Sequence, residues 1–270
     1  MVVAAPLRRH GTGDAPRDRP VPAIQGSPRL MGIFWDAIRQ AAALLTSPSS
    51  YVREVIGVTL SVNGLAVLVA LVLGIPFGTW LGLTRHRARG LLATLVNTGL
   101  FLPPVVVGLF VVMSLSHSGP LGFLGLLYSR SAIVIAEVLL AMPYVTAITM
   151  VAIGAVPREL RLQALGLGSS RTQALWQVMR DARLALMAAV LAGLGSIMSE
   201  VGAAEMVGGN IATTSGNDTR TLTTAIVLET RIGNYAAAMA FSLILMVIVF
   251  AIVLVLTRAQ QGRQGRWLRS

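Results

Sequence analysis

Two adjacent prolines, Pro103 and Pro104, stand inside one long apolar run, and the carboxylates Glu137, Glu200 and Glu205 stand in others. A proline pair inside a membrane-length run leaves backbone carbonyls without their helical donors. These must be met by protein or by a water-lined path. A carboxylate at such depth serves either a polar path or an interhelical hydrogen bond. Bond-breaking chemistry has little to work with. There is no HExxH and no GxSxG motif. The histidines, His10, His86 and His117, are scattered, and no cysteine is present, so no group has metal-ligand spacing. All 22 basic residues are arginine, which excludes a phosphate-binding P-loop and its required lysine. The chain reads as a non-enzyme with no cofactor of its own.

These residues must be held by membrane spans. Of 270 residues, 54% are hydrophobic and 12% charged, against about 25% charged in soluble domains. Five runs exceed the roughly 18 apolar residues that cross a bilayer: 55–84, 91–115, 131–156, 184–206 and 235–257. The net charge of +11 is read as inner-face arginines fixing topology, not as a nucleic-acid surface. Arg85, Arg87 and Arg89 follow the first run. Arg158, Arg161, Arg171, Arg180 and Arg183 follow the third, and Arg258, Arg263, Arg266 and Arg269 the fifth. The other two loops hold Arg130, Arg220 and Arg231. The positive-inside rule puts the first group and the C-terminus in the cytoplasm and the N-terminus outside.

Before the spans, residues 1–30 are rich in Pro and Arg and read as a disordered or non-native extension, with Met31 a plausible start. Residues 31–47 are short and amphipathic and predict a helix lying in the interface. Residues 55–257 form the transmembrane domain, and 258–270 a cytoplasmic tail. Gly74, Gly78 and Gly82 in the first run, and Ala188, Ala192 and Ser196 beside Ala189 and Gly193 in the fourth, recur at every fourth position. Such stripes let helices approach closely, either within one subunit or between two. The outer loop 207–234 predicts turns at Gly208, Gly209 and Asn210. It also predicts a short helix through Glu229, capped by Asp218 or Thr219.

The inner loop 157–183 is polar and arginine-bearing between two spans. Pro157 can start a helix, with Glu159 suiting its dipole. Leu160, Gln163, Ala164 and Leu167 fall at helical spacing, Gly166 and Gly168 break the run, and Ser169 or Ser170 can cap a second helix. A helix–glycine–helix at a membrane face is either a plain amphipathic connector or a knob that docks a soluble partner.

This loop resembles the EAA loop of permease subunits in ABC importers. Aligning on Gly168 places the Glu-Ala-Ala triplet on Leu162, Gln163 and Ala164, so the triplet's glutamate and first alanine are replaced here. Val178 matches the motif's isoleucine, and Arg180–Asp181 stand where it ends in Leu-Pro. LPPVVVGLF (102–110), SEVGAAEMVGGNI (199–211) and TRTLTTAIVLETRIGNYAAAMA (219–240) are similar to segments of molybdate, tungstate and sulfate permeases, the last most of all to the tungstate type. The resemblance spans about residues 31–257. It implies an all-α integral membrane protein of the MetI-like fold, with five transmembrane helices plus the interfacial helix, in a bacterial or archaeal plasma membrane. It implies a homodimer working with ABC ATPase subunits, which bind the ATP and Mg, and with an extracytoplasmic oxyanion-binding protein. The coupling residues implied are Pro157, Glu159, Leu160, Leu162, Gln163, Ala164, Gly168, Ser170 and Arg171. Those of the path or gate are Pro103, Pro104, Ser199, Glu200, Gly202 and Asn210. A secondary transporter or channel is the alternative of a different class, and it should bury ionisable relays in several spans.

Overall fold

The computed structural model describes residues 50–84, 87–212 and 218–264, together with 32, 35, 38, 39, 42 and 43. The expected disordered extension 1–30 and the tail beyond 264 lie outside the described residues. Within 31–47, the six described positions are all helical.

Ten helices are named here. They are α1 (Ser50–Leu83), α2 (Arg89–Gly99), α3 (Pro104–Leu115), α4 (Arg130–Gly154), α5 (Arg158–Gly166), α6 (Arg171–Asp181), α7 (Arg183–Met198), α8 (Gly202–Gly208), α9 (Leu222–Arg231) and α10 (Tyr235–Gln264). Three are long and apolar enough to cross a membrane unaided: Tyr51–Leu83, Arg130–Gly154 and Tyr235–Arg258.

The second and fourth expected spans are not straight helices. α2 and α3 meet at 101° across Leu100–Pro103, because a proline cannot continue the ladder and restricts the residue before it. The fourth span ends as a helix at Met198, turns through Ser199–Val201 and resumes as the short α8. Its 16 residues rise only about 24 Å, less than the roughly 30 Å of hydrocarbon. At its other end, α6 joins α7 at 69°. The fifth span runs on to Gln264, so the expected tail begins as helix.

α4 is the central element, packing on α1 and α7 along its length and also touching α2, α3 and α8. Its most apolar window is 56% buried against 17% for α10, which lies at the periphery beside α9 and α7. The glycine stripe explains the closest contact. A Cβ built on Gly78 would stand 2.6 Å from the Thr146 carbonyl oxygen, and one on Gly82 would stand 2.9 Å from that of Met150. Gly74, Gly78 and Gly82 thus pack α1 on α4 within one chain. Gly193 does the same for α7, meeting Val145. Ala188, by contrast, stays exposed.

Candidate translocation path and docking hairpin

Between α4 and α7, α5 and α6 form a helix–turn–helix. Pro157 is the residue before α5 and not its first helical residue. α5 ends in a Schellman arrangement: Ser169 N–H donates to the Ala164 carbonyl at 3.1 Å and Gly168 N–H to that of Leu165 at 3.0 Å. Gly168 holds φ +87°, with open space around its missing Cβ. Ser170, not Ser169, caps α6. Its Oγ accepts from Gln173 N–H, and its own N–H donates to Gln173 Oε1 at 2.8 Å. On α6, Val178 packs with Ala152, Ile153 and Ala182 and so fixes the hairpin to the end of α4.

The hairpin's outer surface stays open. Glu159, Leu160, Leu162, Gln163 and Arg171 are exposed, and Ala164 is half-buried. Leu167 is 88% exposed and Trp176 69%. Ala164, Leu167, Thr172 and Trp176 line a cavity of about 560 Å³ between the two helices.

The structure brings the two helix breaks together. A Cβ on Gly202 would lie 2.9 Å from Val105 Cγ2, next to Pro104, and one on Gly108 would lie 2.8 Å from Ala203 Cα. Pro103, Pro104 and Ser199 are exposed beside this contact. The proline break is supported by α4: Tyr144 Oη donates to the Leu100 carbonyl at 3.0 Å, and Gly99 sits against the Pro143 ring. A carbonyl freed by the bend is therefore met by protein.

Glu200 is buried at 6% exposure. Its Oε1 accepts from Ala203 N–H at 2.6 Å, so the carboxylate is committed to the N-terminal amides of α8. This bond anchors the turn between α7 and α8. Ser199 Oγ donates back to the Gly195 carbonyl at 2.9 Å. Glu137 is 2% exposed. Turned so that its nitrogen faces this carboxylate, the Asn63 amide donates to Glu137 Oε1 at 3.1 Å and to the Thr59 carbonyl at 3.2 Å. This is an interhelical hydrogen bond between α1 and α4.

Asn210 lies at the far end of α8, about 10 Å along a seven-residue helix. Its backbone is left-handed, with φ +50°. Around it the outer segments are tied down. Thr219 Oγ1 donates to the Gly208 carbonyl and accepts from Ile211 N–H at 3.0 Å. Thr59 of α1 accepts from Leu222 N–H at 2.8 Å. Thr221, rather than Asp218 or Thr219, caps α9 through a reciprocal bond with Thr224. Arg231 pairs with Glu205 at 2.7 Å. Sequence reasoning missed Asn63, Tyr144 and Thr59. The proline preceding Tyr144 was the nearest signal. Among the described residues no three His, Cys, Asp or Glu side chains gather to hold a metal.

Residues 74–269, which hold the broken-helix bundle and the helix–turn–helix, match the family described as binding-protein-dependent transport system inner membrane component, to which this chain belongs. It is 36% identical over 221 residues to a probable anion ABC transporter permease of Haloferax volcanii, covering 80% of this chain and 95% of the relative. It is 32% identical to the tungstate uptake system permease TupB of Peptoclostridium acidaminophilum, covering 84% and 97%. The molybdenum permease ModB of Azotobacter vinelandii is 29% identical, covering 68% and 83%. A bacterial alginate ABC transporter solved with its pentasaccharide-bound periplasmic protein shares the fold, at a TM-score of 0.67 and 20% identity over 84% of this chain and 85% of that one. The chain is thus a multi-pass inner-membrane component of the MetI-like permease fold.

Proposed function

We propose that this chain is the permease subunit of an ATP-driven importer for a tetrahedral oxyanion, tungstate foremost, with molybdate or sulfate as the second reading. The likeness to anion and tungstate permeases over at least four-fifths of the chain carries the proposal. Two copies pair across the path, two ATPase subunits take the α5–α6 hairpins, and a binding protein delivers the ion outside. The energetics favour that division. A dianion entering against an inside-negative potential costs about 4.6 kcal/mol per 100 mV, at about 2.3 per charge. A chain with no lysine for a P-loop must receive that work from a partner. Open apolar side chains at Leu167 and Trp176 suit an apolar docking contact, since the motif's usual glutamate is Leu162 here.

The test is uptake by proteoliposomes holding the permease with its ATPase and binding protein. Tungstate is expected to be taken up in preference to sulfate, and only with ATP. Sulfate uptake that tungstate fails to inhibit moves the assignment to the sulfate type. ATP-independent uptake refutes the importer reading.

A further inference from the structure

Resting on that reading, we infer that Arg220 is a cation fixed beside the outer end of the path, which draws the oxyanion from the binding protein toward the α7–α8 break.

Its guanidinium is held rigidly. Nε donates to Asn210 Oδ1 at 2.9 Å and Nη2 to the Asn210 carbonyl at 3.1 Å. Nη1 donates to Tyr51 Oη at 3.0 Å, and the group stands 5.7 Å from the centroid of that ring. Asn210 is fixed in turn, because its amide nitrogen donates to the Thr224 carbonyl at 3.2 Å. The fork is therefore set before any ion arrives, which lowers the ordering cost of a contact.

All of these partners are neutral. Arginine carries five N–H donors, and the three bonds leave one N–H on each terminal nitrogen unmatched among the described residues. None of these three bonds pairs the guanidinium with a carboxylate. Glu205 binds Arg231 and Glu200 binds the α8 amides, and among the described residues no carboxylate hydrogen-bonds the Arg220 guanidinium. Arg220 is half-buried, so its field is screened less than that of a surface arginine. An arginine donates planar, paired N–H bonds to a tetrahedral oxyanion.

Position connects this charge to the path. Asn210 directly follows α8 and Gly209, and α8 begins at the Gly202–Val105 contact between the two breaks. On the orientation set by the arginine distribution, the cluster faces outward. One cation held by neutral partners attracts a dianion without building a site tight enough to retain it. Ordinary clamping of α1 to the 209–221 segment uses the same bonds, so the experiment must separate charge from geometry.

The assembled importer in proteoliposomes is compared as wild type, Arg220→Lys, Arg220→Gln and Arg220→Cys, with tungstate as probe and ions delivered per ATP hydrolysed as readout. Losing a charge-assisted bond predicts about a tenfold fall with Gln, and a fall of at most about threefold with Lys. The chain has no native cysteine, so Arg220→Cys permits charge restoration in one folded protein. An aminoethyl disulfide adduct is expected to recover delivery and a sulfonatoethyl adduct is not, after correction for either reagent's effect on the wild-type complex. Lys as poor as Gln, full delivery with Gln, or indifference to adduct charge overturns the inference and leaves Arg220 a clamp. A wild-type complex that carries no oxyanion overturns the reading beneath it as well.

Discussion

Gly168 shows how one residue sets the turn of the α5–α6 hairpin. No neighbour crowds its missing Cβ, and its necessity lies in φ +87°, where an L side chain costs about 1–2 kcal/mol. The Schellman bonds at its amide and at Ser169 depend on that backbone. Gly168→Leu is expected to insert normally but to lose ATP-coupled uptake and to co-purify poorly with the ATPase. Normal uptake by that variant would restore the plain-connector reading. Glu200 teaches a different lesson. A carboxylate in an apolar run suggests a group on the ion's route or at its gate, and burial with the 2.6 Å bond to Ala203 N–H shows that it also anchors α8. Residue type alone did not show that bond, because it depends on where the turn places the Ala203 amide.

At the scale of elements, the α1–α4 seam is the most demanding contact. Gly78 faces the Thr146 carbonyl at a distance no Cβ tolerates. Beside it, the hydroxyls of Thr79, Thr146 and Thr149 are buried without a hydrogen-bond partner among the described residues. Glycine is required there, while the hydroxyls are not. Gly78→Leu is expected to abolish stable assembly in the membrane, because the backbones would have to separate. Thr149→Val keeps the shape and removes an unmatched hydroxyl, so its melting temperature in detergent is expected to equal or exceed wild type. A marked fall in the Val variant would mean that this hydroxyl finds a partner in the working protein. The two breaks show the opposite economy. Helical backbone is given up at Leu100–Pro103, and Tyr144 of α4 meets the freed Leu100 carbonyl.

For the whole molecule, the arginine distribution and the fold make one topological claim. The α5–α6 hairpin and the loop after α3 lie on opposite faces. With no native cysteine, single probes report cleanly. Cys at Ser169 is expected to label only from the cytoplasmic side, and Cys at Ser118 only from outside. Labelling of position 169 from outside intact cells would reverse the orientation and remove the docking argument with it. The same orientation puts Arg220 and the threonine-bonded segment from Thr219 to Thr224 on the face opposite the hairpin.

The runs of apolar residues by themselves determined a helical membrane protein, because no other solvent accommodates so many long uncharged stretches. Local signals also determined the hairpin: the turn at Gly168 was legible there, and the cap was narrowed to Ser169 or Ser170, of which the structure uses Ser170. The glycine stripe announced a close contact but not its partner, which only the packing against Thr146 and Met150 decided. Pro103–Pro104 announced a break, whereas its 101° angle and its support by Tyr144 came from α4. Arg220 stood in the sequence as one of a few outer arginines. Its neutral cage joins Tyr51 and Asn210, which are 169 and 10 residues away. Caps and turns depend on bonds a few residues long and are written locally, while burial, pairing and uncancelled charge depend on which distant segments meet, and that is settled only when the chain has folded.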